Sequence, residues 1–179
     1  MQNLITYRKY YFLENYLFNE VSNNFENNHF LTDEEFFAIV IWKSNRSKTK
    51  VLNGIKSAGQ SIREITTNIY YEDNKERKVE ILTKIDGIGI PVASAILSVC
   101  YPNDFIISDY RALSTLNKLL GKETLVNLSN SVPRYLEYLD LCKKVADEKG
   151  LNLRDLDVCL WGYDFYEGKN GLKELIRCV

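Results

Sequence analysis

Gly87-Ile88-Gly89-Ile90 and Asp109 are the residues of this chain whose types and spacing could do chemistry. The two glycines lie between two apolar helical patterns, Val79, Ile81, Leu82 and Ile85 before them and Val92, Ala93, Ala95, Ile96 and Val99 after. They read as a very short turn joining two helices, because glycine takes a left-handed backbone and lets another chain approach closely. The first peptide N–H groups of the second helix have no intrahelical partner and carry the positive end of the helix dipole, which makes a phosphate site. About twenty residues on, Ile107-Ser108-Asp109-Tyr110-Arg111 sets a carboxylate at the start of another helical pattern. Ser108 is expected to cap that helix and Asp109 to lie in its first turn, where the dipole and free amides favour the ionised form. A tight helix-helix turn and an ordinary N-terminal aspartate account for the same residues without any chemistry.

The elements that must position these groups are helical. Leu4, Tyr7, Tyr11, Leu17 and Phe18 give a packing helix over Leu4 to Phe18. Thr32-Asp33-Glu34-Glu35 is a capping box that opens a helix from about Asp33 to Trp42. A polar, basic elbow follows, Trp42-Lys43-Ser44-Asn45-Arg46-Ser47-Lys48, and then a helix over Thr49 to Ala58. Ser61 or Gln60 starts another helix, Tyr70 to Asn74 is a hinge, Lys75 to Lys84 is the first hairpin helix, and the second runs to about Cys100. Pro102 bars further helix, Phe105-Ile106-Ile107 is a short extended apolar segment, and a helix from Asp109 to about Leu120 stops at Gly121. Pro133 stands early in a helix that ends at Lys149-Gly150, Asn152 caps one over Leu151 to Trp161, and Leu172 to Cys178 forms the last. With no other strand pattern and no repeat, the fold class is all-α.

A chain of 179 residues, 45% hydrophobic and 26% charged, has ordinary globular composition, and one unit over residues 1–179 is expected. No run of about eighteen apolar residues is present, and the first residues lack the charged-then-apolar order of a secretion signal. The expectation is a cytoplasmic protein with no membrane partner. Cys100 and Cys159 fall in apolar helical patterns and read as small core residues of a reducing compartment. A net charge of −1 does not advertise nucleic-acid binding, but it hides an asymmetry. Lys43 to Arg63 holds six basic residues and no acidic one, whereas Glu14 to Glu35 holds six acids and no lysine or arginine. Such a stripe can steer a polyanion over a Debye length of roughly 8 Å, and it can equally be a solvated helix face.

The hairpin resembles the helix-hairpin-helix DNA-binding motif, and Ile107-Ser108-Asp109-Tyr110-Arg111 resembles the segment carrying the catalytic aspartate in the helix-hairpin-helix DNA glycosylases. That is the superfamily of endonuclease III and of the 8-oxoguanine and 3-methyladenine glycosylases. The resemblance implies a two-lobed helical fold with the hairpin at about 75–100. A hairpin lobe would span 29–130, and a terminal lobe 1–28 plus 131–179, with the base pocket in the cleft. It implies that Gly87, Ile88, Gly89 and Ile90 bind DNA phosphate and that Asp109 is the catalytic carboxylate. It makes Trp42, Tyr110, Trp161 and Tyr163 candidate walls for an extruded base, although buried aromatics also serve simply as core. By position it makes Asn45 or Arg46 in the elbow a wedge into the DNA, with Lys43, Lys48 and Arg111 as further contacts.

Two departures shape what the resemblance implies. The hairpin lysine that forms a Schiff base in bifunctional members is here Pro91, so lyase chemistry by that route is not expected; Lys43 or Lys84 would have to supply it from elsewhere. Cys100, Cys142, Cys159 and Cys178 are too dispersed for the iron-sulfur cluster of some members, and none is expected. No cofactor is required, no metal site can be built around His29, the one histidine, and the family leaves room for a monovalent cation on the hairpin carbonyls. The implied function is monofunctional hydrolysis of a damaged or modified base from double-stranded DNA by a monomer. A non-catalytic DNA-binding protein of repair or of defence against foreign DNA stands beside it, as does a protein-interaction scaffold.

Overall fold

The run from Ile90 to Cys100 has no charged residue on any face, and such a helix is stable only when surrounded by protein. In the computed structural model, which describes residues 12–121, 131–169 and 171–177, Ile90–Cys100 is a helix buried at every position except Pro91. Every regular element among the described residues is helical. In chain order these are α1 (13–28, with Tyr16–Val21 wound as a π-helix), α2 (Asp33–Ser44), α3 (Lys48–Ala58), α4 (Ile62–Tyr71) and α5 (Lys75–Thr83). They continue as α6 (Ile90–Cys100), α7 (Tyr110–Leu120), α8 (Val132–Lys149), α9 (Leu153–Glu167) and α10 (Leu172–Ile176). Helices α1, α2 and α5 pack on α6, and α9 lies along α7. The buried side chains form one cluster running from Tyr16 to Leu160. Among the described residues no helix is long and apolar enough to cross a membrane.

Local sequence sets most helix starts. Thr32 Oγ1 accepts from the Glu35 N–H at 3.2 Å while the Glu35 carboxylate accepts from the Thr32 N–H at 2.9 Å, so the capping box forms as expected. Ser61 and Glu64 repeat the device at α4, and Asn152 caps α9 through the Asp155 N–H. Helix α9 runs to Glu167, beyond the expected end at Trp161: it passes through Gly162, a single glycine that a helix tolerates, and stops before Gly168. Leu4, Tyr7, Tyr11 and Cys178 lie outside the described residues. Cys100 is buried as expected, and so is Cys142, but Cys159, expected in the core, is exposed: its apolar neighbours Val158 and Trp161 themselves face outward on α9.

Between α6 and α7 the chain is buried at Phe105, Ile106 and Ile107 and has no regular secondary structure there. Its carbonyls would be costly to bury unpaired. Tyr135 and Tyr138 of α8 resolve this: their hydroxyls donate to the carbonyls of Ile106 at 2.8 Å and Ile107 at 3.3 Å. Burial pushes both phenols far above their ordinary range, so they remain donors. Ser94 Oγ of α6 accepts from the Ser108 N–H at 2.9 Å, fixing the residue before Asp109.

Candidate functional site

The hairpin turn depends on close backbone approach. Gly87 has φ +89, and a Cβ there would stand 2.7 Å from the Lys50 carbonyl carbon and the Val51 nitrogen of α3. A Cβ on Gly54 of α3 would stand 2.0 Å from the Asp86 carbonyl oxygen. The turn and α3 are therefore in backbone contact, and that contact requires glycine on both sides. Gly89 differs: it caps α6 in an extended conformation (φ −91), and its Cβ would meet only the Pro91 Cδ, at 3.7 Å. The Ile88 N–H is already taken by the Ile85 carbonyl at 3.0 Å. The N–H groups of Gly89 and Ile90, in contrast, have no acceptor among the described residues.

Asp109 lies elsewhere, in a pocket of about 420 Å³ lined by Glu14, Trp42, Lys43, Ile107, Asp109, Arg154, Asp157, Val158 and Trp161. That volume falls within the roughly 300–1,000 Å³ of small-ligand clefts. Asp109, expected in the first turn with Ser108 as cap, is itself the N-cap of α7: Oδ1 accepts from the Arg111 N–H at 3.0 Å. The reason is that the Ser108 N–H is bound to Ser94 and Ser108 is buried, which holds it out of the capping position. The other oxygen, Oδ2, accepts from Lys43 Nζ at 2.7 Å, with the two side chains 22% and 13% exposed.

A second carboxyl, Asp157, faces the same pocket. One of its oxygens accepts from Arg154 at 2.6 Å, and Arg154 also pairs with Glu14 and lies 3.8 Å over the Phe18 ring. Desolvation pushes the Asp157 carboxyl up to about 6; Asp109 adds to the rise, while Arg154 and Lys43 oppose it. The folded protein thus binds this proton more tightly than the unfolded chain, where the group titrates near 3.8. Its contribution to stability is fully present below the unfolded value and is lost as pH rises through about 6. That loss is on the order of 2–3 kcal/mol. The urea midpoints of wild type and Asp157→Asn should accordingly coincide near pH 4 and separate toward pH 8, with the variant the more stable. Parallel pH profiles would show that Asp157 titrates as an ordinary exposed carboxyl.

Of the four expected aromatic walls, Trp42 and Trp161 line the pocket, whereas Tyr110 and Tyr163 are 72% and 46% exposed and do not. Trp42 meets the Phe18 ring edge-on at 5.7 Å, and Trp161 stacks on Phe165 at 5.4 Å. Lys43, expected as a DNA contact, points into the pocket. The elbow is a 3-10 turn, Asn45–Ser47, in which Asn45 accepts from Lys48 at 2.9 Å and Arg46 is exposed. Arg111 is half-buried beside Trp161 and Tyr110 and pairs with Asp164 at 3.5 Å. The basic stripe is partly neutralised, since Lys50 pairs with Asp86 at 3.1 Å, while Arg63 lies over the Phe30 ring and keeps its charge.

Sequence reasoning missed Glu14, Arg154 and Asp157. One signal was available: Asp157 sits among Leu153, Leu156 and Leu160, at a position where the helical period calls for an apolar residue. No family model matches the chain, and no curated protein or solved structure matches it significantly.

Proposed function

We propose that the chain is a monofunctional DNA N-glycosylase, which takes a damaged or modified base out of duplex DNA into the pocket and hydrolyses its glycosidic bond. The observation that carries this reading is the pocket itself, where Asp109, fixed by its own helix cap, stands among the indoles Trp42 and Trp161. An extruded base is held by stacking, and its departure leaves an oxocarbenium-like sugar that a carboxylate stabilises while it orients water. Lys43 holds Asp109 in position until the sugar arrives. Pro91 offers no amine for a lyase step.

The lining of the pocket supports the two lobes that the resemblance implies. Glu14, Arg154, Asp157, Val158 and Trp161 come from the terminal segments, and Trp42, Lys43, Ile107 and Asp109 from the hairpin-bearing segment. The partner is double-stranded DNA, bound through the Gly89 and Ile90 amides and the exposed elbow at Asn45, Arg46 and Lys48. Phosphate binding of this kind releases counterions and is salt-sensitive. Because Gly89 has ordinary φ and room for a side chain, Gly89→Asp should fold as the wild type does. Its carboxylate would stand where the phosphate sits, and duplex affinity at low salt should fall at least tenfold by fluorescence anisotropy. Unchanged affinity would make the hairpin a structural turn only.

The reading in which the protein binds DNA without catalysis draws on one observation, the Lys43–Asp109 ion pair, which already satisfies the carboxylate. The two readings part on a single result, the release of free base that depends on Asp109.

A further inference from the structure

We infer that Asp157 is a second catalytic carboxyl of the pocket, an acid that hands its proton to the departing base while Asp109 stabilises the sugar. The inference rests on the glycosylase reading and extends it to the class of base removed. Asp157 and Asp109 line one cavity from different helices, yet their surroundings are opposite in kind. Asp109 accepts from the Lys43 ammonium at 2.7 Å and from the Arg111 N–H at 3.0 Å. Asp157 is 9% exposed, and its one charged bond, to Arg154, is shared with Glu14. The groups that face it are Arg154 on its own helix, Lys43 from α2, Asp109 at the cap of α7, Glu14 through Arg154 from α1, and the neutral Tyr135, Tyr138 and Cys142 of α8. Where two carboxyls share a pocket, the more deeply buried and less compensated one is the natural acid. Burial and the facing Asp109 charge make Asp157 the one that holds the proton.

The position on α9 suits the task. Trp161 lies one turn beyond Asp157 and lines the same cavity, so a base stacked on that indole has its edge beside the carboxyl. In the step, the C1′–N bond breaks with its electron pair moving to the base, and the Asp157 proton goes to a lone pair on a base nitrogen or oxygen. Water adds to C1′, and the proton it loses returns through solvent to the Asp157 carboxylate. Such an acid matters for bases that leave poorly as anions. It gives nothing to a cationic nucleoside, whose base departs neutral. The substrate class is therefore a neutral base with an exposed acceptor atom.

The test is single-turnover base release between pH 5 and 8.5 from duplexes containing uracil, hypoxanthine or N7-methylguanine, with wild type, Asp157→Asn and Asp157→Glu. Wild type should release a neutral base with a rate that falls above about pH 6. Asp157→Asn should lose about 100-fold at pH 6 and show a flat profile, as for removal of a general acid. Asp157→Glu should recover part of the loss, and N7-methylguanine release, where it occurs, should fall at least tenfold less than release of the neutral bases. The inference fails if Asp157→Asn keeps both the wild-type rate on the neutral bases and the wild-type pH profile, or if only N7-methylguanine is released. If wild type releases no base from any duplex, the glycosylase reading fails and this inference with it. A ¹³C carboxyl titration gives an independent readout: Asp157 should hold its proton to higher pH than the exposed aspartates, and titration together with them overturns the assignment.

Discussion

Asp109→Asn should slow base release by about 10² to 10³, the usual worth of one preorganised electrostatic group at a developing charge. The substitution is close to isosteric, and asparagine caps helices about as well as aspartate, so the bond from the Arg111 N–H at 3.0 Å should survive. What disappears is the anion beside Lys43, whose ammonium is left facing a neutral amide in a half-buried pocket. That pair is neither fully exposed nor fully buried, which places the stability cost between the two regimes, at about 1–2 kcal/mol. Duplex binding should hold or tighten, because the pocket loses a negative charge that would repel a polyanion. Thermal unfolding, single-turnover base release and anisotropy on one preparation separate these effects. Unfolding at ambient temperature would make Asp109 a structural cap and no more.

Gly54→Ala should cost the fold far more than its one methyl group suggests. Its Cβ would stand 2.0 Å from the Asp86 carbonyl oxygen, a backbone atom that cannot rotate away. Helix α3 must then retreat from the hairpin, at about 3 kcal/mol. Gly87→Ala meets backbone at 2.7 Å and also a φ of +89, so it should be at least as damaging. Gly89→Ala, with its nearest neighbour at 3.7 Å, should stay close to neutral. Urea unfolding of the three variants checks the order. Equal stability of Gly54→Ala and Gly89→Ala would mean that α3 does not hold the turn.

These contrasts mark what the sequence made legible. Helix starts at Thr32, Ser61 and Asn152, the hairpin between Lys75 and Cys100, and the break in helix at the apolar run Phe105 to Ile107 follow from local chemistry, namely caps, breakers and period, and were readable as such. The cap of α7 was not, because whether Ser108 or Asp109 takes it is decided by Ser94, a residue of another helix. Lys43 reads on its own as part of a basic stripe, and only the approach of α2 to the start of α7 turns it toward Asp109. Asp157 and Arg154 are three residues apart and look like an ordinary helical surface pair. The helical period marks Asp157 as a position that faces inward, but that it and Arg154 meet α1 and α2 at the pocket is a tertiary fact that no local window contains. Of the two glycines of the hairpin, the sequence treats both alike, whereas packing against α3 makes Gly87 obligatory and leaves Gly89 open.

The most direct measurement is abasic-site formation by the wild-type protein across a panel of duplexes carrying oxidised, alkylated, deaminated and enzymatically modified bases, scored by strand cleavage at the abasic site and by recovery of the free base. The account predicts stoichiometric base and abasic site from at least one member of the panel, lost when Asp109 is asparagine. Release of no base from any duplex, or release that persists undiminished without the Asp109 carboxylate, would contradict it.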